Sequence, residues 1–336
     1  MLLAPTPQGL YCAAGDFHVD PWRPVPRAVI THAHGDHFAH GCGAYLASAA
    51  GAPLLRHRLG GDATVEALPY DEPRDLRGVR LSLHPAGHIL GSAQVRLEHR
   101  GEVWVASGDY KTVPDRTVAP FEPVRCDTFI TESTFGLPVY RWPEPAVEEA
   151  ALADWWRANA EAGVTSVVFA YALGKAQRVL AALDDAVGPL LVHGAVGPLN
   201  DLYRAQGVAL PPTPHATREA VRAARGRALV VAPPAAAGSP WLRGLGDTAT
   251  AVASGWMRIR GTRRRRGVER GFVLSDHADW DGLHLAIRAT GAGHILVTHG
   301  YTAAMVRWLS EQGLDAHALE TRFRGDDGDD AAPEGT

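Results

Sequence analysis

Short segments in which apolar and polar residues alternate dominate the first third of the chain. This alternation predicts β-strands with one buried face. The segments span residues 9–12, 17–20, 79–83, 94–99 and 102–106. The first two segments predict one hairpin, and the last two predict another. Shorter apolar runs at 27–31 and 128–131 predict two more strands, and the first leads into a histidine-rich loop.

The pattern changes near residue 145. A helical spacing at 144–162 is followed by a buried-strand run at 165–170, and strand and helix signals then alternate as far as 232. Such alternation is typical of a small parallel sheet covered by helices. Beyond 270, strands at 271–274 and 294–298 alternate with helices at 280–290 and 303–312. The chain therefore reads as a β-rich part, an α/β insert and a β-α-β-α return.

Composition excludes several protein classes. The chain has 336 residues, of which 46% are hydrophobic and 21% charged, and this balance is unlike that of a disordered protein. The start, MLLAPTPQGL, has no basic leader, so we expect no signal peptide. The longest uncharged stretch near the middle, 228–242, carries three prolines, so we expect no membrane association. Three cysteines without a CxxC pair fit a reducing compartment. We therefore expect a cytoplasmic globular protein.

Charge is distributed unevenly although the net charge is only −4. Residues 323–336 are acidic and predict a disordered tail. The segment RIRGTRRRRGVER at 258–270 is strongly basic. It is either a solvated surface loop or a ridge that contacts phosphate groups, with Arg263 and Arg264 as candidate contacts.

The clearest chemical signal is the heptapeptide THAHGDH at 31–37. Residues two apart in an extended segment point the same way, so His32 and His34 can share one metal ion. A turn at Gly35 can aim Asp36 and His37 at a second. Imidazole and carboxylate are suitable ligands for zinc and related divalent ions.

Three further candidate ligands lie near the ends of predicted strands. His88 is in PAGHILGS, Asp109 in SGDYK and His299 in VTHG. Alone, each such residue is more often a turn cap than a ligand. Beside the heptapeptide they complete a two-metal site: three histidines on one ion, His32, His34 and His88; three residues on the other, Asp36, His37 and His299; and Asp109 between them. Zinc is expected, with manganese or iron as alternatives.

These motifs resemble those of the metallo-β-lactamase superfamily. THAHGDH, AGH at 86–88 and GD at 108–109 carry the resemblance, and TEST at 131–134, SDHAD at 275–279 and THG at 298–300 resemble its β-CASP nucleases. YALGKAQRVL at 171–180 resembles the start of the β-CASP cap. Over residues 9–320 the chain is most similar to the bacterial exonucleases described as DNA-ligase-associated.

The resemblance implies an α/β (α+β) fold, a four-layer αβ/βα sandwich with an inserted cap. Residues 1–138 and 256–322 would form the metallo-β-lactamase domain, and 139–255 the β-CASP cap. Motifs A, B and C fall on Glu132, His277 and His299. His277 would protonate the departing oxygen, and Glu132 would orient that imidazole.

Weaker candidates surround this set. Asp20 matches the family's first motif and either orients a ligand histidine or caps a turn. Lys175, after Gly174 at a helix start, could bind phosphate, although the spacing is not that of a P-loop. Asp279 is expected to cap the helix at 280–290.

The predicted function is a metal-dependent DNA exonuclease that hydrolyses phosphodiester bonds from a strand end, with two metals activating water. The catalytic residues would be Asp36, Asp109, His277 and Glu132. The resemblance implies work in DNA repair beside an ATP-dependent ligase and a helicase. An RNA-processing nuclease, a non-catalytic nucleic-acid-binding protein and a small-molecule metallohydrolase remain the alternatives.

Overall fold

The computed structural model describes residues 1–259 and 270–321. The chain divides into two compact units: Met1–Tyr140 together with the segment that begins at His277, and Arg141–Asp276. Arg263 and Arg264 and the acidic segment 323–336 lie outside the described residues.

The strands and helices of the first unit come from both of its segments. Its strands are Ala4–Thr6 (β1), Gly9–Cys12 (β2), Phe17–Val19 (β3), Arg27–Val29 (β4), Ala44–Ser48 (β5), Val65–Leu68 (β6), Arg74–Leu76 (β7), Val79–Pro85 (β8), Ala93–His99 (β9), Glu102–Ala106 (β10), Thr128–Ser133 (β11), His294–Gly300 (β17) and Asp315–Ala318 (β18). Its helices are Ala52–Leu59 (α1), Trp280–Thr290 (α7) and Thr302–Glu311 (α8).

These strands form two sheets with the orders β1-β2-β3-β4-β5-β6 and β18-β17-β11-β10-β9-β8-β7. Period-two alternation explains how they pack. On β10, Trp104 and Ala106 enter a core shared with residues of the first sheet, whereas Val105 packs on the other side with residues of α7 and α8. Helix α1 contacts β5 and β6 of the first sheet. The layer order is helix, sheet, sheet, helix, and the predicted four-layer sandwich is confirmed.

The second unit contains a single parallel sheet. Its strands are Thr165–Phe169 (β12), Leu190–Val192 (β13), Leu229–Ala232 (β14), Thr248–Ala253 (β15) and Arg270–Phe272 (β16), in the order β13-β14-β12-β15-β16. Its helices are Pro145–Glu161 (α2), Lys175–Ala181 (α3), Gly197–Ala205 (α4), Arg218–Ala223 (α5) and Pro240–Arg243 (α6). Val168 and Val167 point into separate cores on opposite faces, so both faces are covered.

The second unit is longer than the predicted insert 139–255. Strand β16 pairs in parallel with β15, because Ala251 lies in register with Arg270 and Ala253 with Phe272. The second compact unit therefore runs to Asp276. Across the described ranges, none of the helices has the length and apolar character that crossing a membrane requires.

Candidate metal centre

The heptapeptide 31–37 follows β4 and is anchored at its first residue. The carbonyl of Thr31 accepts a hydrogen bond from the Ala93 amide at the start of β9, at 2.8 Å. The His37 amide donates to the carbonyl of His34 at 3.1 Å and closes a tight turn. The first bond connects the loop to the second sheet, and the second holds His34 and His37 in one turn.

Three imidazoles converge in the buried centre. The Nδ1 atom of His34 lies 3.2 Å from Nε2 of His32 and 3.1 Å from Nε2 of His88. A ligand atom from each of these histidines and from Asp109 lies within 4.8 Å of the others, and all four residues are buried. The fold thus brings together predicted ligands that come from separate loops.

Asp109 stands between two groups of histidines. Its Oδ2 atom is 3.7 Å from Nε2 of His32, 3.9 Å from Nε2 of His88 and 3.4 Å from Nε2 of His37. Its Oδ1 atom is 3.1 Å from Nε2 of His299. One carboxylate therefore faces both predicted ligand sets.

Asp36 is the remaining predicted ligand and is the more accessible one. Its Oδ2 atom lies 3.9 Å from Nε2 of His37, and its side chain is 13% exposed, against 1% for His37. Asp36 is therefore on the solvent side of the cluster.

Burial and charge set the protonation of the centre. Burial lowers the pKa of His32 well below its ordinary value, and neighbouring imidazoles, His37 first, act in the same direction. Burial also lowers the pKa of His37, but the carboxylates of Asp109 and Asp36 outweigh it and raise that pKa. For Asp109 burial raises the pKa, and His37 and His299 outweigh it, so the carboxyl is ionised at neutral pH. At neutral pH His32 is therefore a neutral nitrogen donor, and Asp109 is an anionic oxygen donor between the two ligand sets.

Thr31 and Asp20 orient two of the rings. The Thr31 hydroxyl donates to Oδ2 of Asp20 at 2.6 Å, so toward Nδ1 of His32, at 3.1 Å, it can only accept. His32 then carries its proton on Nδ1 and presents the Nε2 lone pair to the cluster. Nδ1 of His37 lies 2.8 Å from the same Asp20 oxygen, which leaves its Nε2 facing Asp109.

Gly108 permits the close approach of two loops. A Cβ atom at this position would lie 2.7 Å from both Cβ and Oγ1 of Thr31, and the φ angle of +57° is one that side chains rarely adopt. Only glycine allows Asp109 to lie directly beside the heptapeptide.

A second, fully buried pair adjoins Asp109. Nδ1 of His277 lies 3.0 Å from each carboxylate oxygen of Glu132, and both side chains are 0% exposed. The amide of Tyr110 donates to Oε1 of Glu132 at 2.8 Å. A ligand atom of each of Asp109, Glu132 and His277 lies within 4.8 Å of the others.

Lys175 belongs to the second unit and is 1% exposed. Its Nζ lies 3.0 Å from Oδ1 of Asp276 and 4.3 Å from the centroid of the Tyr171 ring. The structure thus surrounds this predicted phosphate contact with a carboxylate and an aromatic face.

The donor set of the first unit fits divalent metal ions. Nδ1 of His34 lies 3.1–3.2 Å from Nε2 of both His88 and His32, and one ring nitrogen has a single proton or a single lone pair, so one hydrogen bond cannot satisfy both contacts. Around a tetrahedral ion with bonds of about 2.1 Å, neighbouring ligand atoms lie about 3.4 Å apart. The separations agree with shared coordination.

Two contributors escaped the sequence reasoning. Thr31 fixes a tautomer, and the Tyr110 amide holds Glu132. The role of Thr31 could have been suspected from the sequence, because this residue is the first of the heptapeptide. The amide could not, because only the fold brings it to residue 132.

No protein-family model matches the chain. Among curated proteins, one named "Probable DNA ligase" from Opitutus terrae is 32% identical over 315 residues, 93% of this chain and 30% of that protein. "Cleavage and polyadenylation specificity factor 73" of Drosophila melanogaster is 32% identical over 123 residues, 36% of this chain and 18% of that protein. "Endoribonuclease ysh1" of Schizosaccharomyces pombe is 33% identical over 124 residues, with 36% and 16% covered. The chain spans less than a third of each of these relatives.

A solved structure supports the fold independently. A protein of unknown function from Enterococcus faecalis V583 superposes with a TM-score of 0.62 at 10% identity, covering 88% of this chain and 80% of that one. At this identity the match concerns the fold alone. The specificity factor 73 and ysh1 relatives are β-CASP members of the metallo-β-lactamase superfamily. The ligase-named relative matches along nearly the whole chain and the buried histidine and aspartate cluster is in place, so the chain is similar to the β-CASP branch of the metallo-β-lactamase superfamily.

Proposed function

We propose that this protein is a metal-dependent nuclease that hydrolyses DNA phosphodiester bonds from a strand end. One observation carries the proposal: the buried cluster of His32, His34, His88 and Asp109 adjoins the buried pair of Glu132 and His277. The first group suits metal ions and the second suits proton transfer, which are the two requirements of phosphodiester hydrolysis at neutral pH.

We assign two ions to the ligand sets of the heptapeptide and its neighbours. One takes three histidines, His32, His34 and His88; the other takes Asp36, His37 and His299. Asp109 would hold both, and its distances to both sets support this role. Bound divalent ions supply a water of lowered pKa and offset charge that develops on the phosphate. Zinc suits these donors, and manganese or iron can replace it.

The remaining roles belong to the chain's own side chains. Asp109 sets the spacing of the two ligand sets. His277 donates a proton to the departing oxygen, while Glu132 accepts the Nδ1–H of that ring and holds it in place. Asp20 does the same for His37. Asp36, on the solvent side, faces the entering phosphate.

DNA is preferred as substrate because the relative matched over 93% of this chain bears the name of a DNA ligase. That name also supports work in DNA repair beside an ATP-dependent ligase, with a helicase as a further partner. Three free cysteines suit a cytoplasmic location. RNA cleavage is the second candidate, because two relatives carry the names of RNA-processing proteins.

The test is a cleavage assay on DNA and RNA oligonucleotides of one sequence, each labelled at one end, with zinc, manganese or magnesium. We expect stepwise release of mononucleotides from DNA. The label that disappears first gives the polarity. Asp109→Asn and His277→Ala should each abolish release, while Asp201→Asn, an exposed position paired with Arg204, should leave it unchanged.

Other outcomes would replace the proposal. Internal cuts in RNA alone would make the protein an endoribonuclease. Tight nucleic-acid binding without cleavage in any metal would indicate a binding protein. Hydrolysis of chromogenic esters without action on oligonucleotides would indicate a small-molecule hydrolase.

A further inference from the structure

A second group of metal-ligating side chains lies on the edge of the seven-stranded sheet. His294 opens β17, and Asp315 and His317 lie on the neighbouring edge strand β18. A ligand atom from each lies within 4.8 Å of the others. His294 and His299 are at opposite ends of β17, five residues apart. At about 3.3 Å per residue this separates the group from the candidate centre by roughly 16 Å.

The strand register builds this group into the fold. His294 lies directly opposite Asp315 in the parallel pair, and His317 follows two residues later on β18. Side chains two apart on a strand share a face, so all three project to one side. Ala316, between the two β18 ligands, is buried on the other side. Backbone hydrogen bonds therefore fix the positions from which the three side chains start.

The side chains converge on the carboxylate. Nδ1 of His294 lies 2.8 Å from Oδ2 of Asp315, and Nε2 of His317 lies 2.7 Å from Oδ1. These hydrogen bonds, that of His294 first, lower the pKa of Asp315, so the ligand is anionic at neutral pH. The ion pairs described for Asp315 within residues 1–259 and 270–321 are these two, and neither partner carries a fixed positive charge.

We propose that His294, Asp315 and His317 form a zinc-type cation site separate from the candidate catalytic centre, which fastens the edge strand β18 to β17. Two imidazoles and one carboxylate are a ligand set that zinc accepts, with water in the remaining position. Opening the 2.7–2.8 Å contacts to the separation of about 3.4 Å around a tetrahedral ion needs side-chain movements of roughly half an ångström. The exposed side chains, 61% for His317 and 63% for Asp315, can make them.

The experiment counts zinc on the full chain. Wild type, Asp315→Asn, His317→Gln and the control His57→Gln are equilibrated at a buffered micromolar concentration of free Zn²⁺, and bound zinc is measured by mass spectrometry. His57 is an exposed histidine on α1 outside the group. We expect wild type and the control to bind one zinc more per chain than either of the other variants. Activity should be equal in all four.

A second measurement separates site formation from folding. Asp315→Cys replaces one zinc ligand by another, so this variant should bind as much zinc as wild type. Asp315→Asn should bind one zinc fewer. The proposal is overturned if all variants bind equal zinc, or if the extra equivalent appears only at millimolar zinc. Equal zinc content in all variants would refute the second site but would not bear on the catalytic centre. This failure is therefore distinct from failure of the nuclease assay.

Discussion

Replacing Glu132 by glutamine tests how the buried pair works. The carboxylate accepts from the Tyr110 amide at Oε1 and from Nδ1 of His277 at both oxygens. Glutamine keeps the shape but provides one carbonyl oxygen and one NH₂ group. If the oxygen stays with the Tyr110 amide, the NH₂ group faces Nδ1–H of His277, and two donors oppose each other.

The size of the effect follows from this conflict. The His277 ring can avoid the opposition of the two donors by losing its Nδ1 proton. It is then a neutral imidazole, which is a much weaker acid than the imidazolium that Glu132 stabilises. General-acid catalysis contributes about 10²–10⁴ in rate. We expect kcat on DNA to fall by about 10²–10³, equivalent to roughly 3–4 kcal/mol of transition-state stabilisation.

The assay compares two leaving groups. Single-turnover rates are measured on a DNA oligonucleotide and on the p-nitrophenyl ester of thymidine 5′-phosphate, whose leaving group needs no proton. We expect Glu132→Gln to slow the ester by less than about tenfold while DNA cleavage falls by the full amount. Glu311→Gln on the surface of α8 serves as the matched control, since it removes only a pair with Arg307.

Two results would refute this reasoning. An equal loss on both substrates would show that the pair does not serve the leaving group. A fall in bound metal proportional to the fall in rate would show that Glu132 acts by holding the metal ligands together.

Further predictions concern metal affinity, packing and pH. Asp20→Asn should weaken metal binding about 10–100-fold, read from competition with a chromophoric chelator, because it no longer fixes the His37 tautomer. Gly108→Ala should cost about 2–4 kcal/mol of unfolding free energy in urea titrations, through overlap with Thr31 and positive-φ strain; unchanged stability would contradict the close approach of the two loops. Chelator should lower the Tm, since ligand at ~100 times Kd contributes about 2.7 kcal/mol. Burial lowers the pKa of His284 to about 4 from 6.5. Between pH 4 and 6.5 the imidazole is protonated in the unfolded chain but neutral in the folded one. The free energy of unfolding should therefore fall by about 1–2 kcal/mol, after allowance for solvent screening, as pH drops from 6.5 to 4. His284→Phe should remove that dependence in urea titrations at pH 7 and 4.5.

Elements that are set by short-range signals could be predicted from the sequence. The predicted hairpin of β9 and β10 forms with Glu102 opposite His99, and Arg100 and Gly101 make the turn between them. Helix α7 begins at Trp280, as predicted, because Oδ1 of Asp279 accepts from the Gly282 amide at 2.8 Å. Capping and alternation are both short-range effects, so they can be read without knowing the fold.

Elements that lack such signals were missed. Strand β5, AYLAS, is buried at four of five positions and shows no alternation. Helix α1, APLLRHRL, has a proline in its first turn and three basic residues in its last. Both are held by contacts with neighbouring elements, and these contacts are not visible in a short window of sequence.

The candidate site shows the same division. Sequence spacing predicted the histidines of the heptapeptide as ligands, and the structure brings them together, but the spacing placed Glu132 and His299 just beyond their strands. In the structure both lie inside strands, because β11 and β17 pair in parallel as far as Ser133 and Gly300. The bonds from Asp20 and Thr31 depend on tertiary packing, so the family resemblance could suggest an orienting role for Asp20 but not its partner.

The interruption of the first unit has a consequence for how the protein is made. Residues 1–140 supply the heptapeptide, His88, Asp109 and Glu132, but His277 and His299 follow only after the whole second unit. A ribosome therefore releases the early ligands well before the residues that complete the centre. A chain that has emerged only as far as the second unit carries the heptapeptide, but it still lacks the imidazole that Glu132 holds.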